Sequence, residues 1–179
     1  HGRHELAMKA MTRTEAPSFA AQIAQGATTT WERMDGLVAG RGFADPSMNS
    51  FNHFAFGAVG EWMVRTIGGI EVVDDYPAFG TVTLTPVLDG PVKSSAEGRR
   101  AFEHVLLRPM LGGGVTWAKC SHDSISGRFT VSWKVDGDVL TYECTVPANA
   151  SATLELPATS VAGVTEGGQP LEKVPGLYP

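Results

Sequence analysis

The apolar positions of this chain change their spacing near residue 70. Before that point they recur three and four residues apart, which is the period of an amphipathic helix. The spacing predicts helices over residues 5–11, 18–25 and 48–67. The second of these follows Pro17 and ends at Gly26, as helix boundaries commonly do.

The predicted helix over residues 48–67 is apolar or small on nearly every side. We expect Ser47 to cap its start and Gly68 to end it. A helix without a polar face is typically buried on most sides, as in the inner ring of a helical barrel. Its polar residues would lie in the first two turns, at the mouth of whatever the helix lines: Asn49, Asn52 and His53.

After residue 70, apolar residues alternate with polar ones, which is the period of a strand. Phe129, Val131 and Trp133 share one face of a predicted strand, and a turn at residues 136–138 leads into the next strand. Short strands bounded by turn residues predict an antiparallel β-sandwich. The predicted strands cover residues 81–88, 104–108, 115–121, 127–135, 139–146, 152–156 and 161–165, with a further strand near Leu171.

The two halves together predict a multidomain α+β chain. About 70 residues without disulfides or metal make a poor independent core. We therefore expect residues 1–71 to be the terminal helices of a larger helical domain. Residues 72–102, rich in Asp, Pro, Gly and Ser, are predicted to be a linker or insertion, and residues 103–179 a C-terminal β-sandwich domain.

Composition and charge narrow the class of partner. The chain has 179 residues, of which 42% are hydrophobic and 18% charged, and a formal net charge of −5. An acidic chain is a poor match for nucleic acid or an anionic membrane, and no apolar run approaches the roughly 18 residues that span a bilayer. This composition fits a neutral small molecule or a sugar at least as well as any other ligand. The chain opens at His1 without a Met, from which we expect a fragment or a processed product.

The two cysteines, Cys120 and Cys144, are too few for a disulfide framework and lack the spacing of metal ligands. Cys144 follows the alternation of its predicted strand, so we interpret it as a buried free thiol, with a Cys120–Cys144 disulfide as the alternative. No metal site and no cofactor are predicted. We interpret Asp74, Asp75 and Tyr76 as a solvated turn, although a calcium or sugar contact is an alternative.

Glu32 is the first candidate for chemistry, because it lies between Trp31 and Arg33 with Asp35 close behind. Glycosidases use two carboxylates on either side of the scissile bond. Glu32 and Asp35 are too near in sequence to face each other across a sugar ring unless the loop turns sharply. By spacing alone, Glu32 is either a catalytic carboxylate or one partner of a structural ion pair with Arg33 or Lys9.

His53 is the second candidate, because it lies beside Asn49 and Asn52. Three hydrogen-bonding side chains at one helix end suit the vicinal hydroxyls of a sugar, whereas the alternative is a core histidine. Trp117 and Trp133 lie on predicted strand faces and are interpreted as core residues. If exposed, these indoles would instead form a platform for stacking a sugar.

Three stretches of the chain resemble a known family. They are PSFAAQIAQGATTTWERMDG, MNSFNHFAFGAVGEWMVRTIGGI and HVLLRPMLGGGVTWAKCSHDSISGRFTVSWK. In order and spacing they resemble the C-terminal part of glycoside hydrolase family 78, the α-L-rhamnosidases. The most specific part is the pair TTxWExxDG and NSxNHxAFGAVGEW, and only residues 72–102 fall outside the resemblance. It implies the last helices of an (α/α)6 barrel followed by a β-sandwich.

The resemblance also implies roles for individual residues. Family members hydrolyse terminal α-L-rhamnosides with inversion, and Glu32 matches the glutamate that acts as the general base. Trp31 would line the rhamnose pocket, with His53 and Asn52 as substrate contacts. The implied partners are a rhamnose-containing glycoside or oligosaccharide and the remainder of the barrel.

The chain departs from the family pattern in two respects. An aromatic residue often stands where this chain has Met34, and the acidic stretch that carries the family's general acid is absent. We therefore expect the isolated chain to be inactive. The alternative is a non-catalytic module whose sandwich binds carbohydrate or docks onto a catalytic chain. A third interpretation keeps the architecture but assigns a different sugar, because a fold does not fix its substrate.

Overall fold

The computed structural model describes residues 3–45, 47, 49–72, 104–148 and 150–176. The chain divides into two compact units. The helical unit consists of Arg3–Trp62 with Gly112–Gly114, and the sheet unit of Met63–Leu111 with Val115–Pro179 and His1–Gly2. The predicted strand over residues 81–88 and the residues Asp74 to Tyr76 lie outside the described residues. No helix in the described ranges is long and apolar enough to cross a membrane.

The first two predicted helices of the helical unit are confirmed. They are α1 (His4–Thr12) and α2 (Phe19–Ala24). Ser18 begins the second helix, because its Oγ accepts the backbone N–H of Ala21 at 3.0 Å. The unit also contains an antiparallel hairpin that the periodicity does not predict, formed by β1 (Leu37–Val38) and β2 (Gly42–Phe43).

The prediction of a single helix over residues 48–67 is wrong at its start. Helical turns begin only at Phe54, because the backbone N–H groups of Ser50 and His53 donate to a neighbouring segment of the chain. The helical part then changes its geometry twice within 14 residues. It consists of the 3-10 turn Phe54–Gly57, the helix α3 (Ala58–Trp62) and the π-helical turn Met63–Ile67.

Two further expectations for this helix are corrected. Ser47 does not cap it, because its Oγ donates to Asp45 Oδ1 at 2.7 Å. The helix is also not buried on most sides by the described residues, since Phe54 is 90% exposed and Phe56 is 40% exposed. The part of the chain that the structure describes therefore leaves a surface of exposed aromatic rings at residues 54–56.

The sheet unit contains two three-stranded sheets and a small hairpin. Its strands are β3 (Ile70–Val72), β4 (His104–Leu107), β5 (Trp117–Ser124), β6 (Gly127–Asp136), β7 (Val139–Thr145), β8 (Ser151–Leu154), β9 (Thr165–Glu166) and β10 (Gln169–Pro170). In the first sheet β4 pairs antiparallel with β3 and parallel with β8, so the expectation of purely antiparallel pairing is wrong there. The second sheet is the antiparallel meander β5-β6-β7.

Two of the predicted strands near the end of the chain are largely replaced by turns. Val161–Gly163 and Leu171–Lys173 are 3-10 turns. The strand pairing in this region is limited to the two-residue strands β9 and β10. The alternation of apolar and polar residues in this region therefore does not correspond to a continuous strand. It extends over short turns and two strands of two residues each.

Both sheets contribute to one apolar core. Ile70, Val105 and Leu107 come from the first sheet, and all three are nearly inaccessible to solvent. They cluster with the face of β6 that the alternation predicts, formed by Phe129, Val131 and Trp133. The Trp133 indole N–H donates to the carbonyl oxygen of Ile67 at 2.8 Å, so this buried ring has its polar group satisfied.

The two cysteines are free, and the alternative of a disulfide is wrong. In the sheet register both Cys120 and Cys144 are aligned with Val131 on the strand between them. Two strand spacings separate their Cα atoms by about 10 Å, beyond the roughly 7 Å limit for a disulfide. Cys144 is exposed rather than buried, although partial burial of the sulfur raises the pKa of its thiol.

An ion network ties the ends of three strands together in the sheet unit. Glu71, on β3, is 9% exposed and binds Arg65 with an N···O distance of 2.5 Å. Its second oxygen lies 3.4 Å from Arg108, which follows β4. Arg108 in turn binds Glu155, which follows β8, at 3.2 Å. Two carboxylates and two guanidinium groups therefore form one network beside the apolar core, with the nearly buried Glu71 binding both arginines.

We predict that Glu71→Ala lowers the free energy of unfolding by about 2–3 kcal/mol, because it removes the nearly buried carboxylate that binds both Arg65 and Arg108. Urea-induced unfolding of the chain, followed by tryptophan fluorescence, measures this change. The matched control is Glu143→Ala on the exposed side of β7, expected to change stability by less than about 0.5 kcal/mol. Equal effects of the two substitutions would contradict the prediction.

Candidate functional site

The candidate site is built from two segments of the helical unit that lie side by side. Glu32 and Ser50 exchange two hydrogen bonds: the Glu32 N–H donates to the Ser50 carbonyl at 2.8 Å, and the Ser50 N–H donates to Glu32 Oε2 at 2.9 Å. The His53 N–H donates to the Thr30 carbonyl at 2.8 Å, and Thr30 Oγ1 donates to the His53 carbonyl at 2.9 Å. The segment predicted as the first helical turns is therefore extended.

One residue of the first segment faces two residues of the second. Between the two pairs just described, Trp31 stands opposite Phe51 and Asn52, which is the residue count of a β-bulge. Trp31 is only 5% exposed, and its ring meets Phe51 edge-on at 4.9 Å between ring centroids and 73° between ring planes. This aromatic contact anchors the pair of segments to the interior of the helical unit.

The turn after Glu32 is fixed by side chains from elsewhere in the unit. Gln22, 2% exposed on α2, donates to the Arg33 carbonyl at 3.4 Å and to the Met34 sulfur at 3.2 Å. The Gly36 N–H donates back to the Arg33 carbonyl at 3.0 Å. Asn49 closes the turn from the other segment, because its Nδ2 donates to the Gly36 carbonyl at 2.8 Å. Met34 thus contributes a hydrogen-bond acceptor to the turn.

Arg33 forms its ion pairs with two aspartates and not with Glu32. Its guanidinium binds Asp35 through two hydrogen bonds of 3.1 and 3.2 Å and lies 3.7 Å from Asp45. The hydrogen bond to Asp35 raises the pKa of Arg33, and the same bond lowers the pKa of Asp35. Among the described residues, Glu32 has no ion pair within 4 Å, so the alternative of a structural pair with Arg33 or Lys9 is wrong.

The structure brings Glu32, Asn52 and His53 onto the same pair of segments. Glu32 is half-buried, with one carboxylate oxygen bound by Ser50 and no hydrogen bond to the other oxygen within the described ranges. Asn52 is exposed, and the His53 ring lies 5.2 Å from the Phe56 ring and 6.2 Å from the Phe54 ring. Trp31 points into the interior instead. No group of three or more metal-ligating side chains occurs in the part of the chain that the structure describes.

The prediction of a core position fails for one of the two strand tryptophans. Trp117 is 61% exposed at the start of β5, whereas Trp133 is 2% exposed. No sequence pattern points to Ser50 or Gly36, because Ser50 contributes its backbone N–H and Gly36 contributes the absence of a side chain. Asn49 is visible in the sequence as a polar residue, but the turn whose carbonyl it binds cannot be predicted from the sequence.

Two family models match the chain. The bacterial alpha-L-rhamnosidase 6 hairpin glycosidase domain matches residues 1–67, and the bacterial alpha-L-rhamnosidase C-terminal domain matches residues 94–170. Among curated relatives, the α-L-rhamnosidase of Streptomyces avermitilis is 33% identical over 157 residues, covering 88% of this chain and 13% of the relative. That of Alteromonas sp. (strain LOR) is 30% identical over 178 residues, covering 98% and 17%.

Solved structures give the same result. The crystal structure of the Streptomyces avermitilis α-L-rhamnosidase complexed with L-rhamnose matches with a TM-score of 0.67 and 32% identity, covering 89% of this chain and 13% of that protein. The α-L-rhamnosidase from Dictyoglumus thermophilum matches with a TM-score of 0.66 and 25% identity, covering 98% and 16%. The chain spans 13–17% of the length of its curated relatives and so corresponds to a small part of such glycoside hydrolases. It belongs to the bacterial α-L-rhamnosidase family.

Proposed function

We propose that this chain is part of an inverting α-L-rhamnosidase and supplies its general base, Glu32. The observation that carries the proposal is the arrangement of the carboxylate. One oxygen is fixed by the Ser50 N–H at 2.9 Å, and the other has no hydrogen-bond partner among the described residues. A carboxylate that is oriented from one side and open on the other suits proton abstraction from a water molecule.

The reaction needs two carboxyl groups standing roughly 6.5–9.5 Å apart. In an inverting hydrolysis, the base takes a proton from water while the water oxygen bonds to the anomeric carbon. The acid protonates the departing glycosidic oxygen. Asp35 is unsuited to the second role, because its carboxylate is held by Arg33. We assign the acid to a part of the enzyme other than these residues, in line with the small fraction of the relatives that this chain covers.

The substrate of the proposed enzyme is a terminal α-L-rhamnoside. A relative at 32% identity has been crystallised with L-rhamnose, which supports this class of sugar. Asn52 and His53 carry donors and acceptors suited to vicinal hydroxyls, and they follow Ser50 on the segment that pairs with Glu32. Trp31, at 5% exposure, is proposed to form the apolar wall behind this pocket.

The proposed architecture keeps the boundaries predicted from the sequence. Residues 1–71 would form the last helices of an (α/α)6 barrel, except that Ile70 and Glu71 belong to β3, which pairs with β4 in the sheet unit. Residues 72–102 would be a linker or insertion, and residues 103–179 a C-terminal β-sandwich. The 6-hairpin family model over residues 1–67 supports the first assignment, as do the exposed rings of Phe54 and Phe56, which further barrel helices would cover. The core shared by two sheets supports the sandwich.

We predict that Glu32→Gln lowers kcat by about 10²–10⁴-fold in the complete enzyme that carries this chain, because the amide keeps the shape of the side chain but accepts no proton. KM should stay nearly constant, since the substrate contacts are unchanged. Initial rates on an aryl α-L-rhamnoside measure both constants.

The matched control is Asp35→Asn, three residues away, which removes a carboxylate committed to Arg33. We expect it to change kcat by less than about tenfold, since it contributes no proton transfer. A Glu32→Gln enzyme with near-normal kcat would refute the assignment of the base. Clear turnover by the isolated chain would refute the assignment of the acid to another part of the enzyme.

A second candidate function, carbohydrate binding by the sheet unit, is favoured by one observation. The indole of Trp117 is 61% exposed on the outer face of the β5-β6-β7 sheet. In the strand register it lies next to Lys134, which lies next to Thr141. The next row on the same face is Lys119, Ser132 and Glu143. An aromatic ring beside hydroxyl, amine and carboxylate groups is a combination that binds sugars.

We predict that, if this face binds sugar, Trp117→Ala weakens binding of a rhamnose-containing oligosaccharide by about tenfold, the equivalent of about 1.4 kcal/mol. Titration calorimetry with the Glu32→Gln enzyme measures it without turnover. Ile125→Ala is the matched control, because Ile125 is 82% exposed at the neighbouring hairpin turn and is not part of these rows. Equal affinities for the two variants would exclude this second function.

A further inference from the structure

The donor that holds Glu32 belongs to the peptide group between Asn49 and Ser50. Its N–H donates to Glu32 Oε2 at 2.9 Å, so the direction of the carboxylate depends on the orientation of that peptide group. Among substitutions of Ser50, only proline would remove this backbone N–H. The orientation is set instead by whatever fixes the two residues that flank the peptide bond.

Asn49 is fixed by a hydrogen bond across the site. Its Nδ2 donates at 2.8 Å to the carbonyl oxygen of Gly36, four residues after Glu32. The same oxygen accepts the Ala44 N–H at 3.0 Å, so the acceptor is itself held in place. The turn that begins at Glu32 is thereby tied back to the residue immediately before the Ser50 N–H.

Gly36 provides the space for this contact. A Cβ at Gly36 would lie 2.6 Å from Asn49 Oδ1, closer than real Cβ contacts allow, and at a tight 3.1 Å from the Arg33 carbonyl oxygen. Asn49 Oδ1 is buried and has no hydrogen-bond partner among the described residues. Exchanging the amide oxygen and nitrogen would set two carbonyl oxygens against each other, so the Nδ2 donor determines the orientation of the side chain.

We propose that Asn49 is a positioning residue for the general base. It acts through the Asn49–Ser50 peptide group, which orients the Glu32 carboxylate toward the attacking water. This inference rests on the proposed role of Glu32. Without the Nδ2 hydrogen bond, the peptide group and the carboxylate gain freedom to rotate, and a misplacement of about 1 Å can cost about 10²-fold in rate.

A double-mutant cycle in the complete enzyme tests the inference. We predict that Asn49→Ala lowers kcat by about 10–100-fold with KM changed less than about threefold. In the Glu32→Gln background the same substitution should lower the residual kcat by less than about twofold, because the group it positions is already disabled. Initial rates on a fluorogenic α-L-rhamnoside provide the sensitivity needed for the slow variants.

Each outcome of the cycle decides the inference. Equal losses in the two backgrounds would overturn it, as would a raised KM with unchanged kcat, because both indicate a role that does not pass through Glu32. Asn49→Asp keeps the shape of the side chain but removes the donor, so it should reproduce the loss of kcat. Retained kcat in Asn49→Asp would also overturn the inference.

Gly36→Ala supplies a variant that leaves Asn49 itself unchanged. It should displace the Asn49 amide and lower kcat with the same dependence on Glu32. The matched control is Gly163→Ala in the exposed 3-10 turn Val161–Gly163, where an added Cβ meets only Ser160 Oγ at 3.9 Å, and we expect its kcat to be unchanged. A Gly36→Ala enzyme as active as the Gly163→Ala enzyme would contradict the inference.

Hydrogen–deuterium exchange separates failure of this inference from failure of the proposed function. Asn49→Ala should speed amide exchange in the proteolytic fragment that contains Ser50, because the hydrogen bond from the Ser50 N–H to the Glu32 carboxylate is weakened. This effect is expected whether or not Glu32 is the base. Near-normal kcat in Glu32→Gln together with faster exchange would refute the proposed base while retaining the positioning contact. Unchanged exchange would refute the positioning role of Asn49 directly.

Discussion

Glu32 and Ser50 are joined by two hydrogen bonds, of which one connects main chain to main chain and the other connects main chain to carboxylate. The geometry of the candidate site depends on this pairing. Because a backbone N–H is the donor, the carboxylate is placed by the course of two chain segments and not by a second charged side chain. The same pairing takes residues 50–53 out of the helical ladder and places Asn52 and His53 on the segment that runs alongside Thr30 and Glu32.

The sheet unit is organised by burial of apolar side chains. Its two sheets meet in one core, in which the β6 residues Phe129, Val131 and Trp133 are at most 2% exposed. Closing that core brings Glu71 into a poorly solvated position, where two arginines neutralise it. The charges at the strand ends therefore follow from the packing, and their main effect is to avoid a buried unpaired carboxylate.

Local pattern predicted those parts of the chain whose partners are close in sequence. Helices α1 and α2 and the meander β5-β6-β7 follow from their apolar spacing and turn residues. The extended segment before α3 does not, because its competitor for the backbone N–H groups lies about 20 residues upstream, and periodicity contains no information on such pairing. The parallel pairing of β4 with β8 cannot be predicted from the local pattern for the same reason, since 47 residues separate His104 from Ser151.

The candidate site contains residues that the sequence reveals and residues that only the structure reveals. Glu32, Asn52 and His53 are recognisable from their functional groups and motif, whereas Gly36 and Ser50 contribute a missing Cβ and a backbone donor. Asn49 lies between these cases, because its amide makes one good hydrogen bond while Oδ1 is buried without a partner among the described residues. Its functional group can be recognised in the sequence, but its acceptor, the Gly36 carbonyl 13 residues upstream, cannot. The geometry of the site therefore depends on pairing between two chain segments, which no local pattern contains.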